Sequence, residues 1–232
     1  IILLCLPMIG LGQIDLLNRA SEKAQKIIPS KSQISEDDVK KGLIEALIKG
    51  SEISVKKASS LNGFYQNVAI KMLVPKEASK MKEKLIKLGF KKNVEDFELS
   101  MNRAAENASK DILNIFIESI NKITLRDAFS ILNGEDDAAT NYLKKETQQF
   151  LYNSCKPIIR KAMEDVRVYK KWNSLVTQYN SIPLTEKINP NLEDYITNKA
   201  VEGVFFLIAL EEKKIRENPS ARTSEILKKV FK

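Results

Sequence analysis

Hydrophobic residues recur at intervals of three and four along most of the chain, the spacing that places them on one face of an α-helix. The first such stripe comprises Leu17, Ala20, Ala24, Ile27 and Ile28. A second stripe follows the acidic run at 36–38 and comprises Val39, Leu43, Ala46, Leu47 and Ile53. The pattern predicts a helical protein whose apolar stripes face a common core.

The same pattern predicts one long helix near the C-terminus, from Leu192 to Glu217. Its centre, 200–210, is apolar almost all round, which is typical of a helix enclosed by others. The apolar stretch 68–74 fits a short strand or a buried helical turn, and Pro157 is expected to interrupt a helix. We therefore predict a single all-α, bundle-like domain over residues 13–232, with a long apolar central helix and little or no β structure.

Residues 1–12 carry no charge and are mostly apolar. The run is shorter than the roughly 20 residues that cross a bilayer. It matches the apolar region of a secretory signal, with Gly10 and Gly12 as small residues before a cut at Gln13. We predict that 1–12 is the remnant of a signal peptide and that the protein is exported to the periplasm or cell envelope. Lipid attachment at Cys5, and burial of the run as a strand or helix, are the alternatives.

The chain contains no histidine, and this excludes several common chemistries. Ser-His-Asp and Cys-His catalysis, His-ligated zinc and an imidazole base are all ruled out. Neither of the common glycine-rich phosphate-binding motifs occurs. We expect no cofactor, no metal site and no enzymatic activity. Cys155 is expected to be a small buried hydrophobe, since no imidazole can activate its thiol.

Lysine and arginine total 38 against 30 acidic residues, a formal charge of +8. This surplus favours anionic partners, although a mixed lysine-rich surface has the same net charge. One predicted helix face carries the basic surface formed by Lys80, Lys84, Lys87 and Lys91. Aromatic residues do not alternate with these lysines, so no nucleic-acid partner is expected. An envelope protein, an anionic lipid surface or an acidic glycan fits better, and no transmembrane span is expected in the mature chain.

Four polar residues interrupt the small-residue helix predicted within 93–123. Glu98, Asn102 and Glu106 follow one another at intervals of four and share a face, with Arg103 at its edge. Such a cluster fits a ligand site, or a buried Arg–Glu network that fixes the register of the helix. In the second case we expect Arg103 to pair with an acidic residue of another helix, within 135–137.

A second polar cluster surrounds the predicted chain reversal at Asn218-Pro219. It comprises Glu211, Glu212, Arg216 and Arg222. Two arginines at a helix end could bind a phosphate or carboxylate through paired N–H groups. A salt-bridged helix corner is the alternative. Together with the first cluster, these arginines complete the candidate binding residues.

Three longer blocks carry a family resemblance. They are Asp96 to Glu106 (DFELSMNRAAE), Gly134 to Tyr142 (GEDDAATNY) and Glu211 to Phe231 (EEKKIRENPSARTSEILKKVF). Together they resemble the bacterial domain-of-unknown-function 4197 family, over roughly residues 35–232. The resemblance implies an exported, helical envelope protein, and it supplies no catalytic residue.

These observations favour an exported envelope protein with a non-enzymatic binding or structural role. One alternative is a carrier of a hydrophobic or anionic lipid-like ligand, with Phe205 and Phe206 lining a cavity for an acyl chain. The second alternative is a carboxylate-dependent, glycan-acting enzyme that uses Glu98 or Glu106. The single tryptophan, Trp172, and the absence of an aromatic cluster near either glutamate weaken that second alternative.

Overall fold

The structure, a computed structural model, describes residues 34–232, which form helices joined by turns. The predicted signal remnant, Cys5 and the stripe from Leu17 to Ile28 lie outside the described residues. The α-helices are α1 (Glu36–Ala58), α2 (Ser79–Lys87), α3 (Lys91–Lys122), α4 (Ala128–Leu132), α5 (Ala138–Asp165), α6 (Val168–Asn180), α7 (Leu192–Glu217) and α8 (Glu225–Val230). Short 3-10 turns occupy Lys76–Ala78 and Pro219–Ala221. Residues 34–232 contain no strand, so the all-α prediction is confirmed.

The four longest helices form a closed ring of neighbours. α1 packs on α3, α3 on α5, α5 on α7, and α7 returns to α1. The compact unit 36–232 is therefore a four-helix bundle to which shorter helices are added. α6 and α2 cover the outer side of α3, α4 packs on α1 and α5, and α8 packs on α1.

The ends of the long helices carry charges that complement the helix dipole. α1 begins with Glu36, Asp37 and Asp38 and ends with Lys56 and Lys57. α7 begins similarly, and the side chain of its N-cap residue Asn191 accepts a hydrogen bond from the N–H of Asp194 at 3.0 Å. Negative charge near an N-terminus and positive charge near a C-terminus each stabilise a helix by roughly 0.3–1 kcal/mol. Acidic residues in the first turn and basic residues in the last turn therefore indicate in the sequence where α1 and α7 begin and end.

The core of the bundle lies between the four long helices. Large enclosed side chains of α1, α3 and α5 include Leu43, Leu47, Phe97, Met101, Ile112, Phe116 and Leu143, and α7 adds the fully buried Val204 and Ile208. The α1 stripe predicted from the sequence is buried at its first four positions, whereas Ile53 is exposed and was predicted wrongly. The apolar stripe is therefore narrower at the end of α1 than the spacing suggested.

Helix α5 continues through Pro157, although that proline was expected to interrupt it. A proline in a helix interior leaves the carbonyl four residues earlier without its usual partner. Here Pro157 and Asn153 are both exposed, so water can reach that carbonyl. The helix tolerates the proline because it lies on the solvent side.

Helix α7 has the bounds that the sequence predicts, Leu192–Glu217. It is not enclosed on every side, because Phe206 is 42% exposed and Leu210 is 41% exposed. The expectation that neighbours surround its apolar centre is therefore wrong at these two positions. The stretch 68–74, for which a strand or a helical turn was predicted, belongs to a long non-helical segment at 59–75.

Candidate functional site

One face of α3 holds the non-helical segment 59–75 against the bundle. The carboxylate of Glu106 accepts hydrogen bonds from three backbone N–H groups of that segment. Those of Phe64 and Tyr65 reach Oε1 at 3.1 Å each, and that of Asn62 reaches Oε2 at 3.3 Å. Glu106 is buried, so its charge is stabilised by these donors rather than by water.

Asn102 and Glu98 bind the same segment one and two turns earlier on α3. The side-chain amide of Asn102 accepts from the N–H of Met72 and donates to its carbonyl, both at 2.8 Å. Glu98 Oε1 accepts from the N–H of Val74 at 3.0 Å and from Lys82 Nζ at 2.6 Å. The segment therefore runs antiparallel to α3 along a row of three side chains spaced by about 6 Å.

We call this row of Glu98, Asn102 and Glu106 the α3 ladder. It forms the kind of hydrogen bonds to the segment's backbone that a neighbouring strand would form in a sheet. Buried backbone N–H and C=O groups outside helices and sheets need other partners. The ladder supplies several of them, and the regular spacing of four residues keeps all three side chains on one face of the helix. Segment 59–75 contains turns but no helix or strand, and the ladder holds it together with its own turn hydrogen bonds, such as that from the N–H of Gln66 to the carbonyl of Asn62 at 3.0 Å.

Arg103 completes the ladder rather than linking distant helices. Its guanidinium forms an ion pair with Glu106 on the same helix. It also donates to Oδ1 of Asn62 at 2.7 Å, where the backbone is left-handed with φ of 68°. The expected pairing with an acidic residue at 135–137 is wrong, because the ladder places the nearest buried carboxylate only one turn away.

The second predicted cluster also binds backbone groups. Glu212 is fully buried and accepts from the N–H groups of Ala139 and Thr140, at 2.9 and 2.7 Å, so it caps the N-terminus of α5. Arg216 donates to the carbonyls of Leu132 and Ile131, at 2.7 and 3.0 Å, and so caps the C-terminus of α4.

Arg222 has the same kind of role at the end of α7. Its guanidinium donates to the carbonyls of Ile215 and Arg216, at 2.9 and 2.8 Å. The two predicted arginines therefore engage two different helix ends and do not converge on one open anion site. This arrangement corresponds to the helix corner that was the alternative reading of their pattern.

Two further ion-pair networks tie α7 to its neighbours. Burial raises the pKa of Glu211, but hydrogen bonds from Lys214 and Lys57 outweigh burial and lower its pKa overall. At the other end of α7, hydrogen bonds from Lys156 and Tyr152 lower the pKa of Asp194. Both carboxylates are thus stabilised in the charged form by contacts that exist only in the folded chain.

The predicted basic surface lies on α2 and at the start of α3. Lys80, Lys84, Lys87 and Lys91 are all exposed. Lys91 pairs with Glu95 at 3.7 Å, and the ammonium of Lys84 lies 5.8 Å from the centre of the Tyr179 ring. This surface is separate in the fold from the groove described next, which involves α5 and α7.

A groove of about 520 Å³ lies between the ladder-held segment, α5 and α7. Segment 59–75 forms one wall with Ile70 and Lys71, and the start of α5 forms another with Asn141 and Lys144. The floor comes from α7, where Phe206 and Ala209 also border a smaller adjoining hollow with Leu210. The groove therefore combines apolar groups with three lysines, Lys71, Lys144 and Lys199, and two carboxylates, Asp137 and Glu202.

The wall and the floor meet through a close approach of Phe64 to α7. A Cβ atom at Gly203 would lie only 2.7 Å from Cε1 of Phe64, so any larger residue here would have to displace the buried Phe64 ring. Phe205 is buried and packs edge-on against Phe116, with ring centroids 5.0 Å apart. Of the adjacent residues Phe205 and Phe206, which both border the groove, only Phe206 is exposed.

The described residues offer few groups for chemistry. Cys155 is buried, as expected, and burial raises the pKa of its thiol to about 12. Residues 34–232 hold no cluster of three or more acidic or cysteine side chains suited to a metal ion. Within the same range, none of the helices has the length and apolarity needed to cross a membrane.

Sequence reasoning found the ladder residues but not what they bind. The period of four in Glu98, Asn102 and Glu106 indicated a shared face, but their partners are backbone groups, which no residue type identifies. The sequence nominated Phe205 and Phe206 as cavity-lining residues, and both border the groove, but its other walls were missed because Ile70 and Lys71 are far from Lys144 in sequence. The long gap between helical stripes at 59–75 was the only signal that could have located its wall.

Comparison with known proteins supplies a family without an activity. No curated protein and no solved structure matches the chain. The model of the DUF4197 family, described as a protein of unknown function, matches residues 33–232. That range includes the α3 ladder, the helix corner and every wall of the groove. The chain therefore belongs to the DUF4197 family.

Proposed function

We propose that this chain is a non-enzymatic binding protein of the bacterial envelope, and that its binding surface is the groove between segment 59–75, α5 and α7. One observation carries the proposal. The buried side chains of Glu98, Asn102 and Glu106 bind the backbone of the non-helical segment 59–75 and hold its shape, and that segment forms a wall of the groove. Long irregular segments in compact domains are usually functional, and a rigid scaffold positions them.

The engagement of the polar residues supports binding rather than catalysis. A glycan-acting enzyme needs a carboxyl group that faces the sugar and exchanges a proton with it. The carboxylates of Glu98 and Glu106 instead face backbone N–H groups and a basic side chain. Neither Glu98 nor Glu106 lines the groove, which favours a binding role over a glycan-acting enzyme.

A protein partner suits the groove best. The floor exposes Phe206, and Leu210, one turn later on α7, is exposed in the adjoining hollow. The lining carries Lys71, Lys144 and Lys199 against Asp137 and Glu202, an excess of one positive charge, so with Phe206 it fits a partner that offers an apolar side chain and an acidic group. Preorganisation of the wall lowers the entropy lost on binding.

A carrier of a lipid-like ligand is the second candidate, and the exposed face of Phe206 favours it. An acyl chain could lie along Phe206 and Ala209 with its head group near Lys71. The groove is open to solvent, whereas small-molecule sites bury most of their ligand. This openness makes a partner surface the better fit.

The envelope address rests on the charge-free run 1–12, which resembles the end of a secretory signal. Fractionation of bacterial cells that express the chain, followed by N-terminal sequencing, tests this part. A periplasmic product that begins at Gln13 supports it, and a cytoplasmic product that retains 1–12 contradicts it.

Site-specific photo-crosslinking tests the groove. A photoreactive phenylalanine analogue replaces Phe206 in one variant and Phe129 in the control, since Phe129 is 43% exposed on α4 and lies outside the groove. We expect a discrete protein adduct from position 206 that is absent from position 129 and is lost with Lys71→Glu/Lys144→Glu. No adduct, or equal adducts at both positions, contradicts the proposal. A lipid adduct at 206 instead favours the carrier.

A further inference from the structure

The turn between α2 and α3 presents an apolar side chain at a corner of the protein. Gly89, with φ of +91°, ends α2, and its N–H donates to the carbonyl of Ile86 at 3.0 Å. The N–H of Phe90 donates to the carbonyl of Leu85 at 2.9 Å. This pair of bonds is the Schellman arrangement, which fixes a helix end. Leu88, within the fixed turn, is 56% exposed.

Positive charge is concentrated around this corner. Six lysines and one glutamate lie within residues 79–92, against a net charge of +8 for the whole chain. Of the lysines, Lys82 is bound to Glu98 on the inner side. The other five are exposed, and Lys91 has a weak pairing with Glu95 at 3.7 Å. The corner therefore joins exposed apolar groups, Leu88 and Ile86, with a dense array of ammonium groups.

We propose that this corner, residues 79–92, binds the surface of an anionic lipid bilayer. Lysine ammonium groups meet the lipid phosphates, while Leu88 and Ile86 enter the boundary between head groups and acyl chains. Charge complementarity selects an anionic surface. The exposed aliphatic side chains of Leu88 and Ile86 select a bilayer, because a nucleic acid offers the lysines phosphates but no apolar layer that these side chains could enter.

The fixed turn makes this mode of binding efficient. A disordered basic segment must lose conformational freedom when it binds, whereas Leu88 is already held outward by the two backbone bonds. Each lysine close to an anionic surface strengthens binding roughly fivefold at physiological salt. Membrane binding by residues 79–92 does not depend on the groove, which involves α5 and α7, or on the partner proposed for it.

Vesicle flotation with the full chain tests the corner. The vesicles contain phosphatidylglycerol and phosphatidylcholine, at 0.1 M salt. Lys80→Glu/Lys87→Glu reverses two exposed charges at the corner, and Lys145→Glu/Lys161→Glu makes the same change at exposed positions of α5. We expect the first pair to weaken binding at least about 25-fold, and the second pair to change it less than about fivefold. All variants keep the same residues 1–33, so differences between them report the corner.

A second comparison separates a bilayer from a soluble polyanion. Leu88→Ser removes the exposed apolar group, and Leu184→Ser makes the same change in a fully exposed loop residue. We expect weaker vesicle binding only for Leu88→Ser, and weaker binding of the unaltered chain at 1 M salt, where the screening length falls from about 10 to about 3 Å. Equal binding by the two lysine double variants, or no effect of Leu88→Ser, overturns the proposal.

Discussion

The side-chain amide of Asn102 and the backbone of Met72 form a reciprocal pair of hydrogen bonds, each 2.8 Å long. The amide also donates to the carbonyl of Glu98 at 2.7 Å, which fixes its orientation. A single side chain thus mimics one residue of a neighbouring strand. This pair is the centre of the α3 ladder, and Asn102 is fully buried.

Asn102→Ala should therefore be costly. It leaves the buried N–H and C=O of Met72 without partners, at about 1–3 kcal/mol each, so we expect the free energy of unfolding to fall by about 2–6 kcal/mol. Urea denaturation measures this. Asn107→Ala, at an exposed position of the same helix, is the control and should change stability by less than about 0.5 kcal/mol. Similar losses of stability in both variants would show that the hydrogen bonds of Asn102 to Met72 do not stabilise the fold.

Glu106→Gln removes the charge at the end of the ladder while keeping its size. One amide oxygen cannot satisfy three backbone donors and Arg103, so we expect a loss of about 3 kcal/mol, as when one partner of a buried ion pair is removed. Glu118→Gln breaks an exposed pair with Lys122 on the same helix and should cost about 0–1 kcal/mol. Thermal unfolding compares the two, and equal melting temperatures would contradict the structural role of Glu106.

Arg216→Lys tests the helix corner. Lysine keeps the positive charge but lacks the planar fork that reaches the carbonyls of Ile131 and Leu132 together. We expect a loss of about 1–3 kcal/mol, measured by urea denaturation. Arg160→Lys, which affects an exposed pair with Glu193, is the matched control and should cost about 0–1 kcal/mol. A neutral Arg216→Lys would mean that the carbonyls are satisfied by water.

Cys155 should be unreactive while the chain is folded. Burial raises the pKa of its thiol to about 12, so almost no thiolate exists at pH 8. In a Cys5→Ser variant, we expect iodoacetamide to modify Cys155 only after denaturant is added, with mass spectrometry as the readout. Rapid modification of the native chain at pH 8 would place the thiol at the surface.

The ion pairs of α7 predict the pH dependence of stability. The pKa of Asp194 is lowered by hydrogen bonds from Lys156 and Tyr152 in the folded chain. A carboxyl group whose folded pKa is lowered contributes stability above its unfolded pKa of about 4, and the contribution disappears as the pH falls through the folded pKa. The difference in melting temperature between wild type and Asp194→Asn should shrink between pH 6 and pH 3. A constant difference would contradict the ion pair.

The helix bounds could be predicted from the sequence, because capping residues and terminal charges act within one turn of the helix end that they stabilise. Acidic first turns, basic last turns and Asn218-Pro219 set the bounds of α7 at Leu192–Glu217. Gly89 marked the end of α2 for the same reason. The predictions were wrong at Pro157 and Ile53, where solvent exposure decides the outcome. Which side of a helix is exposed depends on how the other helices pack against it.

The candidate site was predictable only in part. Glu98, Asn102 and Glu106 stood out because polar residues at intervals of four on an otherwise apolar helix must find partners. Segment 59–75 supplies those partners with backbone groups, so its residue types carry no trace of the contact. Similarly, Lys71 and Lys144 meet at the groove through the ring of four helices, an arrangement that no local pattern encodes.

Hydrogen exchange of the segment 62–74 tests most directly the claim that the α3 ladder holds the groove wall in a fixed shape. In the wild type we predict that the amides of Phe64, Met72 and Val74 are protected nearly as strongly as the middle of α3. In Asn102→Ala these amides should exchange at least about tenfold faster, while α3 itself stays protected. Fast exchange of the three amides in the wild type, at the rate of an unstructured chain, would contradict the account.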